Sequence, residues 1–171
     1  MPILLAQLAV DAMVATLRLH LPTQLLATEL DFDVSISVPP PPDAAYYKRM
    51  LKMSATQGYE TQVEVFEESY GFLFPQADIA DGRVAYELPL TVRLTHLNQD
   101  ALDADALEYR KRMYVAALVN VLRVRHQLGV TDESIKVVLP TLIDATVDSA
   151  ESGTSKVTVT LRTMVQCEEG P

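Results

Sequence analysis

Little in this chain belongs to the usual equipment of an enzyme or a secreted scaffold. A single cysteine, Cys167, among 171 residues excludes an intrachain disulfide. It lies on the apolar side of an alternating run and reads as a structural thiol of a reducing compartment. The six glycines, Gly58, Gly71, Gly82, Gly129, Gly153 and Gly170, show no spacing that cradles a phosphate, so no nucleotide cofactor is expected. The three histidines, His20, His96 and His126, fall at no metal-ligand spacing with Cys, Asp or Glu, which leaves solvated or capping roles and no expected metal. No Gly-x-Ser-x-Gly turn is present to hold a serine nucleophile. Basic residues are the minority, 14 against 23 acidic, for a net charge of -9. That balance argues against tight sequence-independent DNA binding, while an acidic wall past which DNA slides without sticking stays compatible with it. Apolar runs are too short to span a bilayer, so no membrane partner is expected. The apolar stretch 1–10 has no basic residue before it and meets Asp11, which marks a helix start rather than a signal peptide.

What is present is pattern. At 49% hydrophobic and 22% charged residues the composition is that of an ordinary globular chain, and 171 residues predict one domain. Within it, 1–38 reads as an N-terminal helical segment, 39–60 as a proline-rich spacer with a short basic helix, and 61–167 as a sheet with a core helix. From Arg83 to Thr95 the apolar Val84, Tyr86, Leu88, Leu90, Val92 and Leu94 alternate with Arg83, Glu87, Thr91 and Arg93, which predicts a strand with one buried and one wet face. Val157, Val159, Leu161, Val165 and Cys167 repeat the alternation near the C-terminus. The fold class expected is α+β, a mainly antiparallel sheet of about four strands packed by a long core helix and an N-terminal helix. A sheet with one polar face suits a subunit that packs helices on one side and presents the other to water or neighbours.

The remaining elements follow from local signals. Leucines and valines near helical spacing predict a helix over 2–19, which Pro22 should interrupt before a second short helix over 23–30. Pro39 to Pro42 form a stiff extended spacer, and Asp43 is placed to cap a short basic helix over 44–53. A strand over 61–68 carries Glu60, Glu64, Glu67 and Glu68 along its polar side and exit. No sequence pattern supplies the desolvated pocket that acid and base chemistry would need there, so no catalytic residue is assigned. Tyr70, Phe72, Leu73 and Phe74 occupy a long irregular tip over 69–82, with aromatics to bury. Asn98 or Asp100 caps the next helix, whose early turns hold Asp103, Asp105 and Glu108. Its core stripe is Met113, Ala117, Val121, Val124 and Leu128, with Gly129 as C-cap. Residues 135–139 form a buried strand that Pro140 ends, and 144–155 a polar turn.

The order of these elements, carried by Thr61–Ser69 (TQVEVFEES), Arg83–Leu97 (RVAYELPLTVRLTHL), Glu108–Arg125 (EYRKRMYVAALVNVLRVR) and Lys156–Glu168 (KVTVTLRTMVQCE), resembles the tail terminator or tail-completion proteins of long-tailed bacteriophages. The resemblance implies a structural virion protein and no enzyme. In it a homo-oligomeric, six-fold ring caps the tail tube and joins it to a neck or connector protein, with non-specific passage of DNA through its channel. Localisation would be the tail-neck junction of the virion, and the host cytoplasm during assembly. On this reading Tyr70, Phe72, Leu73 and Phe74 are the inter-subunit contact, and Glu60, Glu64, Glu67 and Glu68 are channel-facing acids. The run of four prolines and the basic segment 44–53 depart from the pattern and leave open another head-tail connector or neck ring protein. The alternative of another class is a small acidic ligand-binding or enzymatic α+β dimer, which would need a defined pocket.

Overall fold

The N-terminal segment is dominated by alanine and leucine, and in the computed structural model it coils into one helix, α1 (Pro2–Phe32). The structure describes residues 2–32, 35–49, 58–67, 75–79, 83–98, 104–124, 127–128, 135–148 and 156–169. In chain order α1 is followed by a 3-10 turn (Asp43–Ala45) and the strands β1 (Tyr46–Tyr47), β2 (Thr61–Glu67), β3 (Pro75–Ile79) and β4 (Arg83–Leu97). Helix α2 (Ala104–Val124) and the strands β5 (Gln127–Leu128), β6 (Ile135–Asp148) and β7 (Lys156–Glu169) complete the chain. The strands form one seven-stranded sheet in the order β1-β2-β4-β7-β6-β5, with β3 also paired to β4. All pairings are antiparallel except β1 with β2. The fold is therefore α+β, with the four anticipated strands (β2, β4, β6, β7) and three short additions.

Both helices pack on one face of this sheet. Ala9, Met13, Leu17, Leu21 and Leu25 recur every fourth residue along α1 and are buried, as are Met113, Tyr114, Ala117, Leu118, Val121 and Leu122 on α2. They close over Val63 and Val65 of β2, Leu88, Leu90, Val92 and Leu94 of β4, and Val157, Val159, Leu161 and Val165 of β7. The β4–β7 pairing runs unbroken from Val84 opposite Glu169 to Leu97 opposite Lys156, and Cys167 sits in register with Tyr86 and Val137. Pro89 of β4, which has no amide to offer, lies past Leu90, where β2 ends, and before Tyr86, where β3 begins.

Several expectations change. Pro22 does not interrupt α1: the helix runs through it, because Leu17, Leu21 and Leu25 are buried on both sides of it and hold the chain helical. The helix expected over 44–53 is absent from its described part. The Ala45 amide bonds the Pro42 carbonyl at 2.8 Å, Asp43 provides no side-chain cap, and Tyr46 and Tyr47 pair with Val63 and Glu64. Two adjacent tyrosines favour that half-buried strand over a helix. Helix α2 ends at Val124, which is exposed, and Leu128 belongs to β5 rather than to the helical stripe; Gly129 lies outside the described residues. Asn98 is buried and its Oδ1 accepts from Arg110, while Asp100, the other expected cap, lies outside the described residues. Pro140 does not end β6, which continues to Asp148, and the register shifts between Val138 and Thr141. A bulge is where a strand tolerates a residue without an amide hydrogen. Part of the irregular tip is strand: 75–79 pairs with β4.

Candidate functional site

Among the described residues, chemistry-bearing side chains gather in two places, one on each face of the sheet. On the helix-covered face, His96 falls on the apolar parity of β4 and is fully buried. Its Nδ1 lies 2.8 Å from the Thr61 hydroxyl across the β2–β4 pair, and its Nε2 lies 3.3 Å from Nη1 of Arg110 on α2. A guanidinium only donates, so Nε2 is the accepting nitrogen and Nδ1 carries the proton, donated to Thr61. The Glu60 carboxylate stands 3.9 Å from Nε2. Arg110, itself buried, also donates to Asn98 Oδ1 at 2.8 Å and, through Nε, to the Ser37 carbonyl at 2.9 Å. One turn on, the Tyr114 hydroxyl donates to the Pro39 carbonyl at 3.0 Å. Burial pushes the Tyr114 phenol well above its ordinary range, with a hydrogen bond from Thr61 and the Arg110 charge opposing the shift. The Val38 amide donates to Glu29 of α1. The cluster is a strap: it ties the extended segment 35–42, whose prolines supply carbonyls but no donors, to both helices and to the sheet.

On the other face, Arg93 and Glu64 stand in register and form a two-pronged pair, Nε to Oε2 at 2.6 Å and Nη2 to Oε1 at 2.7 Å. The guanidinium lies 5.4 Å from the centre of the Phe66 ring. Gln62, Thr91, Thr95 and Thr158 share this face and are buried with the pair. The alternation in β4 therefore gives one apolar and one polar face, as expected, but the polar face is closed to solvent along this stretch. The charge on Arg93 is spent on Glu64, while the buried Gln62 Oε1 on the same face has no hydrogen-bond partner among the described residues.

The structure does not gather the acids singled out above. Glu64 is taken up by Arg93, Glu60 sits beside His96, and Glu67 falls on the opposite parity of β2 from Glu64, half-buried, with burial raising its carboxyl above the ordinary range. Glu68 and the aromatic contact residues Tyr70, Phe72, Leu73 and Phe74 lie outside the described residues. His20 is not at a helix end but inside α1, and His126 lies outside the described residues. Sequence reading missed His96 and Arg110 as partners, although each carried a signal: a histidine on the apolar parity of a strand, and an arginine three and four residues before the buried Met113 and Tyr114. Among the described residues no group of three His, Cys, Asp or Glu is placed to hold a metal ion. No helix among them is long and apolar enough to cross a membrane.

The third feature is a surface. Leu19, Leu26 and Leu30 on the second half of α1 are largely exposed, as are Tyr109 and Val124 on α2. No protein-family model matches the chain, and no curated protein matches it significantly in sequence.

Proposed function

We propose that the chain is a structural subunit of a bacteriophage tail, forming a six-fold ring that caps the tail tube and joins it to a neck or connector protein at the head-tail junction of the virion. The observation that carries the reading is the order of elements: a long N-terminal helix, a strand, a hairpin onto a long central strand, a core helix and two long closing strands. That is the order the sequence resemblance implies, and it builds a rigid plate with one face covered by helices. Rigidity suits a ring subunit, whose neighbours must meet at a fixed angle for the rotation to close. The buried strap around Arg110 and the paired Arg93 and Glu64 serve that rigidity, since each fixes side chains and backbone from elements distant in sequence.

In this reading Tyr70, Phe72, Leu73 and Phe74 meet the neighbouring subunit, and Glu60, Glu67 and Glu68 are the acids left to face passing DNA, the first two keeping solvent exposure. Glu64 is not among them because its charge is neutralised within the chain. The test is co-sedimentation of the purified chain with phage tail tubes. Wild type should pellet with the tubes at a few copies per tube, and a variant carrying Phe72→Asp and Phe74→Asp should stay in the supernatant with its circular dichroism unchanged. A wild-type chain that never pellets would overturn the reading; a double variant that still pellets would remove the aromatic tip from the contact.

A further inference from the structure

We infer that the second half of α1 is a self-association surface on which the same helix of a second copy packs antiparallel about a two-fold axis. The inference goes beyond the ring reading and does not depend on it, since a head-to-tail contact closes a ring whereas a two-fold contact pairs copies.

The first half of α1 is buried almost all round, at Ala9, Val10, Ala12, Met13 and Val14. Beyond Arg18 the helix becomes one-sided. Leu17, Leu21, Leu25 and Thr28 face the core, while Leu19, Leu26 and Leu30 are exposed by 70%, 59% and 75%, with exposed Thr23 between them. The spacings along Leu19, Thr23, Leu26 and Leu30 alternate four, three, four, which is the seam of a helix that packs against another helix. Three bare leucines at scattered positions would mean little. On one seam they form a continuous ridge.

The charges beside the seam select the partner. Arg18 and Glu29 are eleven residues apart, three turns, and share one flank; His20 and Asp31 share the other by the same spacing. The first flank is basic at its N-terminal end and acidic at its C-terminal end; the second carries an imidazole and an acid in the same order. A second copy laid antiparallel, with Leu19 against Leu30 and Thr23 against Leu26, brings Arg18 near Glu29 and His20 near Asp31 on both flanks. A parallel copy would instead bring Glu29 near Asp31, like against like, and leave Arg18 without a carboxylate across the seam. Arg18 already rests over the Tyr46 ring at 5.5 Å, and Glu29 accepts from the Val38 amide, so both are held in place beside the seam. The contact covers about three turns per copy, well below the about 800 Å² per partner of a standard interface. Pairing is accordingly weak and follows concentration.

The test is sedimentation of the whole chain over a wide concentration range, with disulfide trapping in a Cys167→Ser background. Wild type should gain mass to an even number of subunits, and Leu26→Glu, at an exposed helical site that accepts glutamate, should weaken that step at least tenfold. If the chain already forms rings, the same variant should halve the mass and leave the ring intact. Leu19→Cys mixed with Leu30→Cys should yield the mixed disulfide, and Leu19→Cys alone should not trap itself. A mass indifferent to Leu26→Glu, a monomer at every concentration, or self-trapping of Leu19→Cys would each overturn the inference. Loss of tail-tube binding with pairing intact would instead count against the ring reading alone.

Discussion

Single residues decide this fold where charge is buried. Glu64 and Arg93 are closed to solvent, and a buried pair of this kind adds little net stability beyond an apolar pair of equal volume, yet strands a charge when halved. Glu64→Leu alone should cost about 3–5 kcal/mol in denaturant unfolding, and adding Arg93→Leu should restore most of it. Arg110 is the second such residue. Arg110→Met keeps the aliphatic volume but removes the donors to Ser37, Asn98 and His96, and should cost about 3 kcal/mol while loosening segment 35–42 to hydrogen exchange. Tyr114 sets an alkaline limit. Its phenol titrates above the ordinary value of 10 in the folded chain, so the unfolded chain loses that proton first. Stability from this group is complete below about pH 10 and is lost as pH rises above it, by about 1.4 kcal/mol per pH unit. Tyr114→Phe should make the alkaline fall in stability shallower by one proton.

At the scale of elements, α1 shows packing overriding local preference. Proline inside a helix leaves the carbonyl four residues earlier, that of Arg18, without its helical donor. Pro22→Ala should therefore raise stability by about 1–3 kcal/mol, less the entropy that proline removes from the unfolded chain. An unchanged midpoint would show that another donor already satisfies Arg18. The strands were the legible part of the sequence. Alternation over 83–95 and 156–167 reads directly because a strand in the middle of a sheet has one apolar side, and of the acids expected in the early turns of α2, Asp105 lies in its first described turn. Less legible was whatever depended on a distant partner. Tyr46 and Tyr47 become strand only because β2 lies beside them, Leu128 leaves the helix to pair with Val137, and Pro140 stays in β6 through a bulge. The strap was hidden for the same reason. Arg110 sits 73 residues from the Ser37 carbonyl it bonds, and a charged side chain on an apolar stripe reads as solvent-facing until that partner is known.

For the whole molecule, helices cover one face of a plate-like sheet, and the polar face is buried over its middle. Among the described residues, the exposed groups this body offers to a partner include the leucine ridge of α1 and the partly exposed acids Glu60 and Glu67. A head-to-tail contact and a two-fold contact on different surfaces would give one ring or a pair of rings, and the balance would follow concentration. The ring reading is tested most directly by negative-stain imaging with native mass measurement of the chain mixed with phage tail tubes. Closed rings are expected at one end of each tube, with a mass of six copies or a multiple of six. Bare tube ends beside a free chain at every concentration would contradict it.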